Sequence, residues 1–145
     1  MDVQVEIARE TSAELVADFG RLLPQLSRTA KPLDLAAVDR IVRCDANTVL
    51  VARADGEIVG TLTLVLLPVP SGLRARIEDV VVDSAARGHG VAGLLLDEAV
   101  RLAREAGART VDLTSRPDRA AANRLYERVG FEARESTVYR MRLDG

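Results

Sequence analysis

The sequence predicts an α+β fold, a mixed and mostly antiparallel sheet of about seven strands with about four helices. Three observations lead to this prediction. Apolar, β-branched runs of strand length lie on both sides of two short helical patterns. An Asp-Gly pair joins two of these runs as a hairpin. Later strand-like runs are separated by helical periods, which is typical of strand-helix-strand units with a parallel pair in the middle of the sheet. The expected order is β-α-α-β-β-β-α-β-α-β-β.

The N-terminal part opens with one strand and two helices. Residues 3–8 alternate apolar and polar side chains, as a half-buried strand does. Residues 11–14 form a capping-box pattern with Thr11 as the cap, and the helix that they open is expected to stop at Pro24. Asp34 is placed to cap a second helix, which reaches about Arg43.

Three long strands are expected in the middle of the chain, followed by a long helix. Residues 48–54 and 58–66 flank the Asp-Gly pair, and residues 74–82 read as a third strand. The helix runs from about Gly90 to Ala106, with Gly107 as its C-terminal cap.

The C-terminal part predicts a strand, a helix and two last strands. Residues 110–114 form a short buried strand. A capping-box pattern at residues 115–118 opens a helix that ends at Gly130. Short strands are expected near residues 131–134 and 137–143.

Size and composition fit a single domain over residues 1–145. Apolar residues make up 48% of the chain and charged residues 29%, which is typical of a globular protein. No apolar stretch reaches about 18 residues, so we expect no membrane association. No basic segment followed by an apolar one opens the chain, so we expect no signal peptide and a cytoplasmic location. The single cysteine, Cys44, rules out an internal disulfide and argues against a cysteine-based zinc site, so we expect no metal.

The charge pattern argues against nucleic acid as a partner. Lys and Arg together number 20 against 22 for Asp and Glu, and the basic residues form no single cluster. Aromatic residues make up 3% of the chain, which leaves few platforms on which bases could stack.

A glycine-rich turn before the long helix is a candidate phosphate site. The first amides of a helix have no internal partner and carry partial positive charge, and glycines let the backbone approach a ligand closely. The first turn of this helix holds no Asp or Glu, while Arg87 and His89 add positive charge. The alternative is that Gly88 and Gly90 only form a turn. The spacing fits neither the dinucleotide-binding nor the nucleoside-triphosphate loop.

Residues 121–131 carry the second informative pattern. Leu125 and Val129 share one helix face, and Tyr126 lies beside that stripe, at the border between the core and a cleft. As an alternative, Tyr126 is an amphipathic packing residue.

Together, the two patterns resemble the GNAT superfamily of acyl-CoA-dependent N-acyltransferases. The resemblance rests on Arg87-x-x-Gly90-x-Ala92 after a Val-Val-Val-Asp strand, followed by Asn123-Arg-Leu-Tyr126-Glu-Arg-Val-Gly-Phe. It is strong over residues 75–132, whereas the N-terminal half agrees only in element order and the last strands agree loosely. It implies a GNAT-like fold, acetyl-CoA as cosubstrate and an amine as acceptor.

The resemblance also assigns roles to individual residues. It implies that the backbone of the third long strand pairs with the pantetheine arm, that the amides of the turn hold the pyrophosphate, and that Asn123 contacts the arm. It implies that Tyr126 protonates the departing thiolate. The cofactor-binding residues so assigned are Val80, Val81, Val82, Arg87, Gly88, His89, Gly90, Val91, Ala92, Gly93 and Asn123.

An amine acceptor arrives mostly protonated, so the reaction needs a base. Glu78 and Asp79 are the candidates, and strand alternation puts them on opposite faces of the sheet. The resemblance favours Glu78, and Asp79 or a water chain remains an alternative. As a purely structural alternative, one acid faces solvent and the other pairs with Arg74 or Arg76. The resemblance implies that a backbone N–H of this strand, that of Val80, donates to the oxyanion.

The acceptor itself is left open by the sequence. The predicted function is N-acetylation of a small-molecule amine. The alternatives are a protein lysine or N-terminal acetyltransferase and a catalytically silent acyl-CoA-binding regulatory module. The resemblance implies an acceptor cleft formed by roughly residues 20–35, 68–74 and 133–138, and it allows a homodimer through the last strands. The charged residues of these segments are mostly cationic, which favours an anionic group on the acceptor; alternatively, they form a solvated rim. The charged residues of that cleft are Arg21, Arg28, Lys31, Arg74, Arg134 and Glu135.

Overall fold

The computed structural model describes residues 1–144 of the chain. These residues fall into two compact units, Met1–Thr114 and the residues from Ser115 onward. The first unit holds the sheet and three helices, and the second holds one helix. No helix within the described residues is both long enough and apolar enough to cross a bilayer.

The first unit is built on a five-stranded sheet. The strands lie side by side in the order of the sequence, the first four antiparallel and the fifth parallel to the fourth. The predicted hairpin between the second and third strands is confirmed, because Asp55 and Gly56 both have positive φ, at 53° and 82°. The strands are β1 (Val3–Ile7), β2 (Asn47–Ala54), β3 (Glu57–Val69), β4 (Gly72–Val82) and β5 (Val111–Asp112).

Three helices cover this sheet, namely α1 (Ala13–Leu26), α2 (Leu35–Arg43) and α3 (Val91–Glu105). The predicted cap of α2 is confirmed, since the Asp34 carboxylate accepts a hydrogen bond from the amide of Ala37 at 2.8 Å.

The helix α1 differs from its prediction at both ends. The hydroxyl of Ser12 caps it, whereas the sequence pattern favours Thr11. The helix also continues through Pro24, where the sequence predicts a stop. Pro24 lies in the last turn, so the hydrogen bond that it forfeits is one near the end of the helix.

Side chains on β2 alternate between two buried faces of the sheet. Val49 and Val51 pack in a cluster with α1 and α2, and Leu50 and Ala52 point to the opposite face. The buried residues that α3 brings are Val91, Leu95, Leu96, Ala99 and Ala103.

The second unit contains α4 (Ala120–Val129). The predicted helix start at Ser115 is wrong, because the amide of Arg119 bonds to the carbonyl of Arg116 at 3.1 Å and closes a turn ahead of the helix. The predicted end is confirmed, since Gly130 follows α4 with φ of 123°.

The two last predicted strands, at residues 131–134 and 137–143, are wrong. Residues 131–144 have no regular secondary structure, so the described part of the chain has five strands instead of seven, and the parallel pair lies at the edge of the sheet. A segment with alternating side chains forms a strand only where a neighbouring strand pairs with its backbone. Here the large apolar side chains remain 67–91% exposed: Val138, Tyr139, Met141 and Leu143.

Candidate functional site

The turn between β4 and α3 has the geometry of an anion site. Asp83 caps a single 3-10 turn, Ser84–Ala86, by accepting a hydrogen bond from the amide of Ala85 at 3.2 Å. Gly90 then forms the N-terminal cap of α3 and offers no side chain to the first amides of the helix. No acid lies in the first turn of α3, so the partial positive charge of the helix start is not neutralised locally.

Backbone conformation requires the two glycines of this turn. Gly88 and Gly90 have φ of 86° and 74°, in the left-handed region that residues with a Cβ rarely adopt. A Cβ at either position would meet no atom within 4 Å, so the dihedral angle and not crowding selects glycine. The exposed residues of the turn are Arg87, Gly88, His89 and Gly90.

The start of α3 is anchored in the core while its amides stay near the surface. Val91 is 2% exposed, and a Cβ on Gly60 of β3 would lie 3.1 Å from its Cγ1. Ala92 and Gly93 are half-buried. The first helical amides are therefore fixed in position next to solvent, where a charged ligand can reach them.

The edge of β4 that faces β5 is unpaired along most of its length. Only Ala75 and Arg76 pair with β5, so β4 has no strand partner beyond Arg76 on this side within residues 1–144. Val80, Val81 and Val82 lie on this stretch. An extended chain could therefore bond to their backbone as an added strand would.

A β-bulge interrupts β4 at its acidic pair. Thr63 pairs with Glu78 and Thr61 pairs with Val81, so the single residue between the two threonines opposes Asp79 and Val80. Simple alternation therefore does not hold here. Glu78 faces the same side of the sheet as Val81, which packs with α1 and α2.

Glu78 is held by an arginine on its own strand. The Nε of Arg76 donates to Oε1 of Glu78, and an Nη of Arg76 donates to the Thr114 hydroxyl at 2.6 Å. The Glu78 side chain is 46% exposed. This is the ion pair that the sequence allows as a structural alternative. Sequence reasoning missed Thr114, because a partner 38 residues away leaves no local signal.

Asp79 stands at the bulge with φ of 52°, although it is not a glycine. Partial burial, and secondly the neighbouring Glu78 carboxylate, raise the pKa of Asp79 above its ordinary value. The two acids thus differ: Glu78 is oriented by its contact with Arg76, and Asp79 binds its proton more tightly than a free aspartate does.

The second unit carries the other two predicted site residues on α4, one helical turn apart. The amide nitrogen of Asn123 donates to the carbonyl of Arg116 at 3.1 Å and so ties the helix to the turn before it. Tyr126 is half-buried and meets Phe131 edge-on, with ring centroids 6.3 Å apart and planes at 73°.

Some of the charged residues expected to line the acceptor cleft, here called the acceptor rim, form contacts within the protein. Arg21 forms ion pairs with Asp18 at 2.9 Å and with Asp83 at 2.5 Å, so its guanidinium is engaged within the protein. Arg74 donates to the hydroxyls of Ser71 and Thr110, each at 3.3 Å. The remaining rim residues are exposed: Arg28, Lys31, Arg134 and Glu135.

Two open pockets of about 340 and 350 Å³ are lined by β1 and its neighbours and contain none of the predicted site residues. The candidate site is therefore identified by backbone geometry and not by a deep cavity. Within residues 1–144, no three His, Cys, Asp or Glu side chains are grouped so that they could hold a metal ion.

Comparison with known families decides the relationship. The model of the acetyltransferase (GNAT) family matches residues 14–131, more than half of the chain. The chain belongs to the GNAT acetyltransferase family. This confirms the resemblance read from the two motifs. Membership implies an acyl-CoA-dependent acetyltransferase, and it agrees with the acid-free helix start and open strand edge described above.

Solved structures support this GNAT assignment, whereas no curated protein matches the chain. A transcriptional regulator from Bacillus halodurans C-125 is 32% identical, with 97% of this chain and 100% of that chain covered and a TM-score of 0.78. A Trypanosoma brucei acetyltransferase is 29% identical, with 99% of both chains covered and a TM-score of 0.76. AAC(6')-Iy, solved with a CoA bisubstrate analogue, shares the fold at 20% identity, with 99% and 100% covered and a TM-score of 0.79.

Proposed function

We propose that this GNAT protein transfers the acetyl group of acetyl-CoA to the amine of a small molecule. One observation carries the proposal, namely the uncapped, acid-free start of α3 directly after the unpaired edge of β4. The helix start suits the pyrophosphate, and the strand edge suits the pantetheine arm. The solved complex of AAC(6')-Iy with a CoA analogue supports this placement by similarity of fold.

In the proposed reaction the amine nitrogen attacks the thioester carbonyl directly, a C–N bond forms and the C–S bond breaks. The N–H of Val80 donates to the carbonyl oxygen as negative charge develops on it. Tyr126 gives its proton to the departing sulfur, which is otherwise a thiolate. The direct attack requires no protein nucleophile.

Glu78 is the proposed base for the proton that the amine loses. Arg76 occupies one of its oxygens and leaves Oε2 for a proton, directly or through water. Asp79 is the alternative acceptor, because its environment favours the protonated carboxyl.

A second candidate function is a regulatory module that binds acyl-CoA without turnover. The Bacillus halodurans protein, which is 32% identical over nearly the whole chain, is described as a transcriptional regulator. The presence of both Glu78 and Tyr126 favours the enzyme over this candidate. Protein acceptors form a third class, since a ribosomal-protein-alanine N-acetyltransferase from Brucella melitensis shares the fold at 24% identity.

The test is CoA release from acetyl-CoA, followed with a thiol reagent, across panels of amino sugars, polyamines, amino acids and lysine peptides. Acceptor-dependent release that is lost in Tyr126→Phe supports the enzyme. Saturable CoA binding without release on any panel supports the regulatory module. The cytoplasmic location and the homodimer stay predictions, and size-exclusion chromatography with light scattering tests the second.

A further inference from the structure

Two side chains of α1 contact the segment that leads into the proposed pyrophosphate turn. An Nη of Arg21 donates to Oδ2 of Asp83 at 2.5 Å, and its other Nη donates to the carbonyl of Ile58 at 2.8 Å and to Asp18 at 2.9 Å. One turn later, Oε1 of Gln25 accepts the backbone N–H of Ser84 at 2.9 Å. Both contacts span about 60 residues of sequence.

The same carboxylate joins α1 to the turn. Oδ2 of Asp83 accepts from Arg21, while Oδ1 accepts the amide of Ala85 and so shapes the 3-10 turn. The Asp83 side chain is 18% exposed and that of Asp18 is 17% exposed, so each carboxylate needs a cation close by. Arg21 meets this need and also cancels a negative charge next to a turn that would hold an anion.

Val91 anchors the start of α3, but the stretch before it, residues 87–90, has few means of holding its shape. It contains two glycines with positive φ and ends at Gly90, which offers no side-chain cap, so its side chains do not fix the direction of its amides. Anion binding by backbone amides depends on their being aligned before the ligand arrives, because ordering them afterwards costs binding free energy.

We infer that Arg21 and Gln25 are positioning residues for the pyrophosphate turn and that these two side chains of α1 set the affinity for CoA. The inference rests on the proposed function, in which this turn holds the pyrophosphate. It assigns α1 a role in cofactor binding, whereas the sequence placed Arg21 on the acceptor rim.

The main test is Gln25→Met, which keeps the length of the side chain and removes the acceptor for Ser84. It also removes an exposed hydrogen bond within α1, from Nε2 of Gln25 to the carbonyl of Arg21 at 3.2 Å. Isothermal titration calorimetry with CoA should show the Kd rising about two- to tenfold, the effect of one lost hydrogen bond. Gln4→Met is the matched control, because Gln4 is exposed on β1 and the same change there should leave the Kd unaltered. Arg21→Lys gives a second test, since one ammonium cannot replace the forked contacts of the guanidinium, and we expect a similar rise.

Pantetheine separates positioning from general loosening, because it keeps the arm and lacks the pyrophosphate. Its affinity, measured by ligand-observed NMR, should be the same in the wild type and in Gln25→Met. An equal loss for CoA and pantetheine would overturn the inference, and so would an unchanged Kd for CoA in both Gln25→Met and Arg21→Lys. Ala92→Asp distinguishes failure of this inference from failure of the proposed function. If the affinity for CoA is also unchanged in this variant, which adds an acid to the start of α3, the proposed function itself is rejected.

Discussion

The turn after β4 and the acidic pair within β4 lie only a few residues apart, yet they are built in different ways. The turn offers backbone amides, and its shape follows from the positive φ of Gly88 and Gly90 and from a helix start without acids. The acidic pair offers side chains, and its shape depends on a bulge and on Arg76, which also reaches Thr114.

This difference predicts how the two regions respond to mutation. A backbone site that binds the ground state should be damaged in affinity, whereas side chains that move protons should be damaged in turnover. Mutations that change the affinity for CoA without changing turnover, or the reverse, therefore test whether the turn serves binding and the acidic pair serves the reaction.

The largest effect is expected for Tyr126→Phe. General acid catalysis contributes about 10²–10⁴-fold, so kcat should fall within that range when the hydroxyl is removed. The ring and its edge-on contact with Phe131 are kept, so the free energy of unfolding should change little. Steady-state kinetics and urea denaturation measure the two quantities. Retained turnover together with lost stability would show that Tyr126 is a packing residue.

Glu78→Gln should lower kcat by about 10²-fold and flatten the acid limb of the pH–rate profile. The amide oxygen of glutamine can still accept from Arg76, so the variant removes the charge and keeps the contact. The affinity for CoA should stay the same. Survival of the acid limb in this variant, with its loss in Asp79→Asn, would move the base to Asp79.

Ala92→Asp should have the opposite effect to Glu78→Gln, because it should weaken CoA binding more than it lowers turnover. A charge at a helix terminus is worth up to about 2 kcal/mol, so the Kd for CoA should rise by up to about 30-fold. Ala13→Asp is the control, because it adds the same charge to the exposed first turn of α1. Equal CoA affinities for the two variants would contradict the pyrophosphate site.

The turn could be predicted from the sequence because its determinants are local. The glycine spacing, the helix start and the lack of acids in the first turn of α3 are all visible within residues 83–94. The structure confirms that α3 begins directly after Gly90 and that both glycines have positive φ. The hairpin at Asp55 and Gly56 was predictable for the same reason.

The rest could not be predicted, because its determinants lie far apart along the chain. Nothing near Asp79 marks a bulge, since aspartate is not the residue that a positive φ favours most. From the sequence, Arg21 is expected to be a free surface cation. In the structure it contacts Asp83, which lies 62 residues later in the chain. The alternation of residues 137–143 predicts a strand, and only the structure shows that no strand forms there.

The smallest effect is expected for Asp79→Asn, and it concerns stability. Because the folded protein raises the pKa of Asp79, it binds this proton more tightly than the unfolded chain does. Stability should therefore fall as pH rises from the ordinary aspartate value through the raised one, and the penalty is complete only above the raised value. Asparagine tolerates a positive φ and cannot ionise, so the variant should be more stable than the wild type at neutral pH.

The gain should be below about 1 kcal/mol, because Asp79 is partly solvated. Urea denaturation at neutral and at acidic pH measures it, and the difference from the wild type should vanish where both forms are uncharged. A double-mutant cycle with Glu78→Gln then separates the two causes. Partial burial is the larger cause, so most of the gain should persist when Glu78 is neutral. A gain that disappears in that background would show that repulsion between the two carboxylates dominates at the bulge.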